Sequence, residues 1–291
     1  MGTRLADALV ASGAEVRGVV RDRGRAGHLE RRGVELWEGD VLDASSLRGS
    51  GAGVDVGYYL VHSMGRGSDG DFEARERATA ANFARMASAE GVGRVVYLGG
   101  LGGDKADSRH LRSRHQTAEI LRAEGPPLTY FRAAMVVGAL SESYRTLRFL
   151  VERLPAMITP RWLETQTQPI GIDDVVAYLS QAPEVEESSA REVEVGGPDV
   201  LSYADMLDRM ALALGRRPRP KLRVPVLSPH LSSLWIGLVT PVDAGVARPL
   251  VEGLATPTTV SDPSGAALFD VDPLPLDETL RRAIAEEREA A

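Results

Sequence analysis

The sequence predicts an α/β fold: a doubly wound parallel sheet followed by a smaller, mainly helical C-terminal region. Three observations predict it. Short β-branched runs alternate with helical patterns over the first 200 residues. Those runs are close to continuously apolar, as strands buried on both faces are. After residue 200 the texture changes to amphipathic helices and a proline-punctuated basic stretch. The chain therefore divides into residues 1–200 and residues 201–291, with 139–168 expected to roof a pocket together with the region after 200.

The elements follow in order. Met1 to Val10 read as a helix, and Glu15–Val20 as the strand after it. Further strands are expected at Val34–Trp37, Val54–Val61, Val92–Leu98, Leu128–Val137 and Glu192–Val195. Between them, Phe72–Glu90 places Phe72, Ala80, Phe83, Met86 and Ala87 on one helical face, with Gly91 as its C′ residue. Arg112–Ala123 forms a second helix, closed by Gly125-Pro126-Pro127. Right-handed crossovers then lay these strands parallel. Asp173 and Asp174 mark a helix start, as cap and first turn. Ser202 caps a helix carrying Tyr203, Met206, Leu207, Met210 and Leu214, with Asp205 completing a capping box and Gly215 ending it. Ser228-Pro229 opens an apolar segment through Val239, and a last amphipathic helix runs from Asp277.

The first helix carries a further expectation. In a dinucleotide-binding sheet, a strand and a glycine-rich turn come before that helix, and the glycines let the backbone approach a pyrophosphate at the helix N-terminus. Gly2 stands where the last glycine of such a turn falls. On the usual spacing, about ten residues of strand and turn are absent ahead of it. The expected consequence is an incomplete sheet, with strand Val16–Val20 lacking its inner neighbour. The other reading of Gly2 is an ordinary helix start.

Composition narrows the function classes. The chain has 291 residues, 43% of them hydrophobic, enough for a substantial core. A formal net charge of −7 leaves no surplus of cations to neutralise nucleic-acid phosphates. Cysteine is absent, which excludes disulfides and thiolate chemistry and fits a reducing cytoplasm. Arg4, Asp7, Glu15 and Arg17 interrupt the apolar positions of residues 1–20, unlike a signal-peptide core. The five histidines show no metal-ligand spacing. Arg216, Arg217, Arg219, Lys221 and Arg223 could meet an anionic membrane surface, with Leu234-Trp235-Ile236 as anchor; the favoured reading is a connector into a buried helix.

Several strand-end segments together resemble the atypical short-chain dehydrogenase/reductase superfamily, near the NmrA-like and bacterial NAD(P)H-binding proteins. They are Val19-Val20-Arg21-Asp22, Glu38-Gly39-Asp40-Val41, the stretch Tyr58 to Met64, and Tyr97-Leu98-Gly99-Gly100-Leu101. Pro169 to Val175 and Val195 to Asp199 follow. The resemblance covers essentially the whole chain and implies a Rossmann-like fold with a nicotinamide dinucleotide across the carboxyl ends of the strands. Arg21 then suits the 2′-phosphate of NADP, although Asp22 beside it would suit the ribose of NAD. Asp40 and Val41 match adenine-contacting positions, with a turn-capping role for Asp40 equally open. Val61, His62 and Ser63 match the stretch beside ribose and pyrophosphate.

The catalytic set of the superfamily is altered. Its usual Tyr-x-x-x-Lys pair corresponds here to His110 and Arg114. Histidine can move a proton near neutral pH, whereas arginine keeps a charge but does not titrate. Gly99 and Gly100 stand where a serine is usual. His110 is thus either the acid/base group or a surface histidine, and His62 with Ser63 forms a second pair facing the cofactor or merely lining its pocket. Two functions follow: an NADP-preferring reductase (NAD remaining open) for a small apolar substrate, with Met64, Met135, Trp162 and Trp235 at the pocket edge, or a dinucleotide-binding sensor or assembly factor without turnover. The first is favoured on superfamily membership.

Overall fold

The computed structural model describes residues 1–61, 72–102, 109–153, 157–159, 161–223 and 256–289. Four parallel strands form the larger sheet: β3 (Val56–Tyr59), β4 (Arg94–Gly100), β5 (Leu128–Ala133) and β10 (Glu192–Val195), in the order β10-β5-β4-β3. A separate parallel pair joins β1 (Val16–Val20) to β2 (Val34–Glu38). Among the described residues no strand hydrogen-bonds between β1 and β3.

The larger sheet is covered on both faces. On one, α3 (Phe72–Ala89) and α4 (Arg109–Glu124) enclose Tyr59, Val95, Tyr97 and Tyr130. On the other, α1 (Gly2–Ala11) and α6 (Ile172–Gln181) cover Val96, Phe131, Val193 and Val195. Helix α1 bridges the two sheets. Its Leu5 and Leu9 join the core of the larger one, while Ala6 and Val10 pack on Val34 and Leu36 of β2. Arg4 reaches from α1 to Asp173 at 2.7 Å and also to Glu286. Each such pair on the surface contributes little alone, so the apolar contacts of α1 carry most of the coupling.

A third core unites α5 (Glu142–Arg153), α7 (Tyr203–Ala213) and α8 (Leu276–Glu289) around Tyr144, Leu147, Met206, Met210 and Leu280. The capping box at α7 is present, with Ser202 and Asp205 each accepting from the other's backbone, and Gly215 adopts φ +71° at the helix end. Three cations of the basic stretch make contacts within the fold. Arg216 and Arg219 donate to the carbonyls of Glu152 and Val151 in the last turn of α5, where cations oppose the helix dipole. Lys221 meets Asp208 at 2.5 Å.

Several boundaries differ from expectation. The run Leu128–Val137 is broken at Ala134-Met135 into β5 and a two-residue strand β6 (Val136–Val137), which pairs with β9 (Ile170–Gly171) instead. Gly171, not an aspartate, caps α6; Asp173 and Asp174 lie in its first turn. The strand β2 is buried at Val34 and Leu36 but exposed at Glu35 and Glu38, a one-sided pattern rather than a fully buried one. The apolar segment from Ser228 to Val239 lies outside the described residues. No helix among the described residues is long and apolar enough to cross a membrane.

Candidate dinucleotide and active site

Because the strands of each sheet run parallel, their carboxyl ends fall along one edge, and the sequence-nominated residues gather there. The β1 end carries Arg21 and Asp22, the β2 end Gly39 to Val41, the β3 end Val61, and the β4 end Gly99 and Gly100. The backbone N–H of Gly39 donates to Val20 at 2.9 Å, tying the first two ends together.

The roles of Arg21 and Asp22 separate cleanly. Asp22 caps α2 (Arg23–Glu30), accepting from the N–H of Arg25 at 3.0 Å. Arg23 pairs with Glu30 at 2.8 Å. Arg21 is exposed and forms no ion pair among the described residues. Its guanidinium is the uncommitted cation of this turn, which fits a phosphate better than a hydroxyl. At Gly2 an added Cβ would meet nothing within 4 Å, so no close contact requires glycine there. Arg21 fits the adenosine phosphate of a dinucleotide.

Asp40 accepts from the N–H of Leu42 at 3.0 Å, which gives geometry to its turn-capping role. Val41 offers its carbonyl to Asn82 Nδ2 at 2.9 Å, so its backbone fixes the loop against α3. Val61 packs on the core beneath α3. His62 and Ser63 lie outside the described residues, as do Met64 and Trp235. His110 sits in the first turn of α4.

The place of Arg114 is informative. Its Nη1 lies 3.5 Å from the Tyr97 hydroxyl, and its guanidinium carbon lies 6.0 Å from the centre of the Tyr97 ring. Tyr97 in turn donates to the Arg114 carbonyl at 3.2 Å and stacks on Tyr130, with ring centres 5.2 Å apart. Burial pushes the hydroxyls of Tyr97 and Tyr130 above the ordinary range, against the opposing pull of Arg114. Glu76, 2% exposed, is the acid of this cluster. Sequence reasoning placed Arg114 at the site but missed Tyr130, whose side chain leans two residues along the neighbouring strand. The pair of glycines at the β4 end was the available signal, because glycine inside a strand marks close approach by another group.

Comparison with known proteins agrees with this geometry. An NAD(P)H-binding family matches residues 1–141. No curated protein matches the sequence. Among solved structures, triphenylmethane reductase from Citrobacter sp., complexed with NADP(H), superposes with a TM-score of 0.75 at 17% identity. That match covers 96% of this chain and 95% of the other. An NADPH-dependent quinone oxidoreductase from Escherichia coli has a TM-score of 0.72 at 16% identity, over 95% and 94% of the two chains. A nucleoside-diphosphate-sugar epimerase from Staphylococcus aureus reaches 0.76 at 14% identity, over 96% and 95%. Residues 1–141 thus match an NAD(P)H-binding domain, and the chain has the Rossmann-like fold of these solved structures.

Proposed function

We propose that this protein is an NADP(H)-preferring oxidoreductase acting on a small, apolar substrate. The observation that carries the reading is Arg21: an exposed guanidinium at the β1 end, uncommitted while Arg23 and Asp22 beside it are both engaged. The 2′-phosphate that distinguishes NADPH from NADH calls for such a cation. Two similar structures, a triphenylmethane reductase and a quinone oxidoreductase, are described with NADP(H) or NADPH. When bound, the cofactor would supply the hydride. This chain's part is to hold the adenosine phosphate with Arg21 and to orient the reacting group beside Gly99 and Gly100. His110, in the first turn of α4, is the nominated proton donor, and Arg114 keeps positive charge beside the buried tyrosines. In this reading residues 1–200 bind the dinucleotide, residues 201–291 cover the substrate side, and the protein works in the cytoplasm.

The test is oxidation of NADPH, followed at its nicotinamide absorbance, across carbonyl, enone and quinone substrates. Turnover with NADPH in preference to NADH is the expected result. Saturable NADPH binding with no oxidation by any class would instead favour a sensor or assembly factor, the reading motivated by the missing tyrosine, lysine and serine.

A further inference from the structure

The β4 end is unusual in what fills it. A Cβ built on Gly99 would lie 2.7 Å from the hydroxyl oxygen of Tyr130 and 2.7 Å from its Cε2. The space that a serine side chain at residue 99 would occupy is therefore taken by the phenol end of a tyrosine from β5. Register explains how. Tyr130 pairs with Tyr97 and Arg132 with Gly99, so Tyr130 and Gly99 share a face and sit diagonally across the two strands. Stacking on Tyr97, at an interplanar angle of 17°, aims the ring along the strand towards its carboxyl end. Only glycine at 99 permits it.

Tyr130 is 1% exposed, and its phenol end lies against the backbone of Gly99 at the carboxyl end of β4. Its neighbours in the cluster are satisfied: Tyr59 donates to Thr79 at 2.8 Å and Tyr97 to the Arg114 carbonyl at 3.2 Å. The wall beside it is apolar, since Leu111 of α4 fills the space over Gly100 and Gly102.

We propose that Tyr130 supplies the hydrogen-bond donor that the β4 end lacks, its phenol O–H pointing at the carbonyl oxygen of an apolar carbonyl or quinone substrate seated beside Gly99. This rests on the oxidoreductase reading and gives it a substrate class. The phenol acts as a donor only, polarising the carbonyl without giving up its proton. Burial keeps it protonated, which suits that role. Arg114, two contacts away through Tyr97, is a positioning residue for the stack.

The experiment uses menadione as probe and compares the wild-type chain with Tyr130→Phe, which keeps the ring and its packing. In the first measurement menadione binds the NADP⁺-loaded protein, where no hydride is available, and its carbonyl infrared band is recorded. The band should move to lower wavenumber in wild type and return towards its free position in Y130F. In the second, kcat for menadione with NADPH should fall about a hundredfold in Y130F, the usual effect of removing one donor to a developing oxyanion, with KM for NADPH unchanged. A double variant, Gly99→Ser with Tyr130→Leu, should recover most of that loss relative to Tyr130→Leu alone, because the serine now has room. Equal bands and equal kcat in wild type and Y130F would overturn the proposal, as would wild-type protein that does not bind menadione or a double variant without recovery. A band shift without NADPH oxidation would retain the proposal and reject the reductase reading. Oxidation that is indifferent to Tyr130 would do the reverse.

Discussion

The two sheets of this molecule are built from similar apolar runs but held in different ways. The four-stranded sheet is covered on both faces, and Val95, Val96, Tyr97, Phe131 and Val193 are all at 0% exposure. In the β1–β2 pair the buried core is Ala26, Val34 and Leu36, while Val19 is 39% exposed. The difference is one of neighbours rather than composition. A strand bonded on both sides buries its backbone and both rows of side chains; β1 hydrogen-bonds among the described residues to β2 alone, and none of its residues is fully buried. The functional consequence follows the same line. The tightly held sheet carries buried tyrosines, and the loosely held pair carries Arg21, an exposed cation without an ion pair among the described residues. In the proposed function the first serve chemistry by fixed geometry and the second serves binding by reach.

The largest expected effect tests that contrast directly. Phe131→Ala should cost about 3–5 kcal/mol in urea unfolding, because it removes a ring packed against Phe269 and Tyr178. Leu36→Ala should sit at the low end for its type, about 2 kcal/mol, because the small cluster around it can collapse. Amide exchange should rank the same way, with β4 and β5 protected up to the global stability and β1 opening locally at lower free energy. If Leu36→Ala destabilises as much as Phe131→Ala, and β1 exchanges no faster than β5, the two sheets are one cooperative unit and the contrast fails.

Next in size is Arg21→Ala. A charge-assisted hydrogen bond is typically worth about 1.5–3 kcal/mol, so NADPH affinity should fall roughly ten- to a hundredfold, read by calorimetric titration. NADH, lacking the phosphate, should be little affected. Equal losses for both would move Arg21 out of the phosphate site.

How much of this could be read from the chain was uneven, for physical reasons. The run Val92–Leu98 reads as a buried strand, and the strand is Arg94–Gly100; Val34–Trp37 reads the same way, but Glu35 and Glu38 are exposed and make it one-sided. Local chemistry was fully legible at the Ser202–Asp205 capping box and at Gly91, which adopts φ +77°. Helix α2 was not, because Arg23-Gly24-Arg25-Ala26-Gly27 carries two glycines and little apolar face; the Asp22 cap and the packing of Ala26 and Leu29 make it a helix. Helix α5 was not read from the sequence, although Tyr144, Leu147, Leu150 and Val151 stand at helical spacing. Two-residue strands such as β6 and β9 have no sequence signal, since their pairing is set by tertiary contacts. For the same reason the Tyr130–Gly99 contact joins residues far apart in the chain, and only the β4–β5 register brings them together.

A smaller effect distinguishes capping from cofactor binding at the loosely held pair. Asp22→Ala removes the acceptor for the Arg25 N–H and should cost about 1 kcal/mol, felt in the exchange of α2 rather than in global unfolding. NADH affinity should not change. A clear loss of NADH binding would return Asp22 to the ribose site and weaken the case for NADPH.

The smallest effect concerns electrostatics on the tightly held side. Asp174, at the start of α6, accepts from the Leu274 N–H at 3.2 Å and so ties the larger sheet's helical cover to the segment before α8. Burial raises its carboxyl above the ordinary 3.8, outweighing that hydrogen bond. The sign follows from linkage. A group whose folded pKa lies above its unfolded value binds its proton more tightly in the folded state, so its contribution is complete below 3.8 and is lost as pH rises through the folded value. Stability measured from pH 3.5 upward should therefore carry a falling component that Asp174→Asn abolishes, the amide staying neutral throughout. Asp205, whose pairing with Ser202 lowers its carboxyl, works in the opposite direction and is the internal control. Asp205→Asn should remove a component that rises with pH. If Asp174→Asn instead steepens the fall with pH, burial does not dominate at Asp174, and this junction is held by its charge rather than despite it.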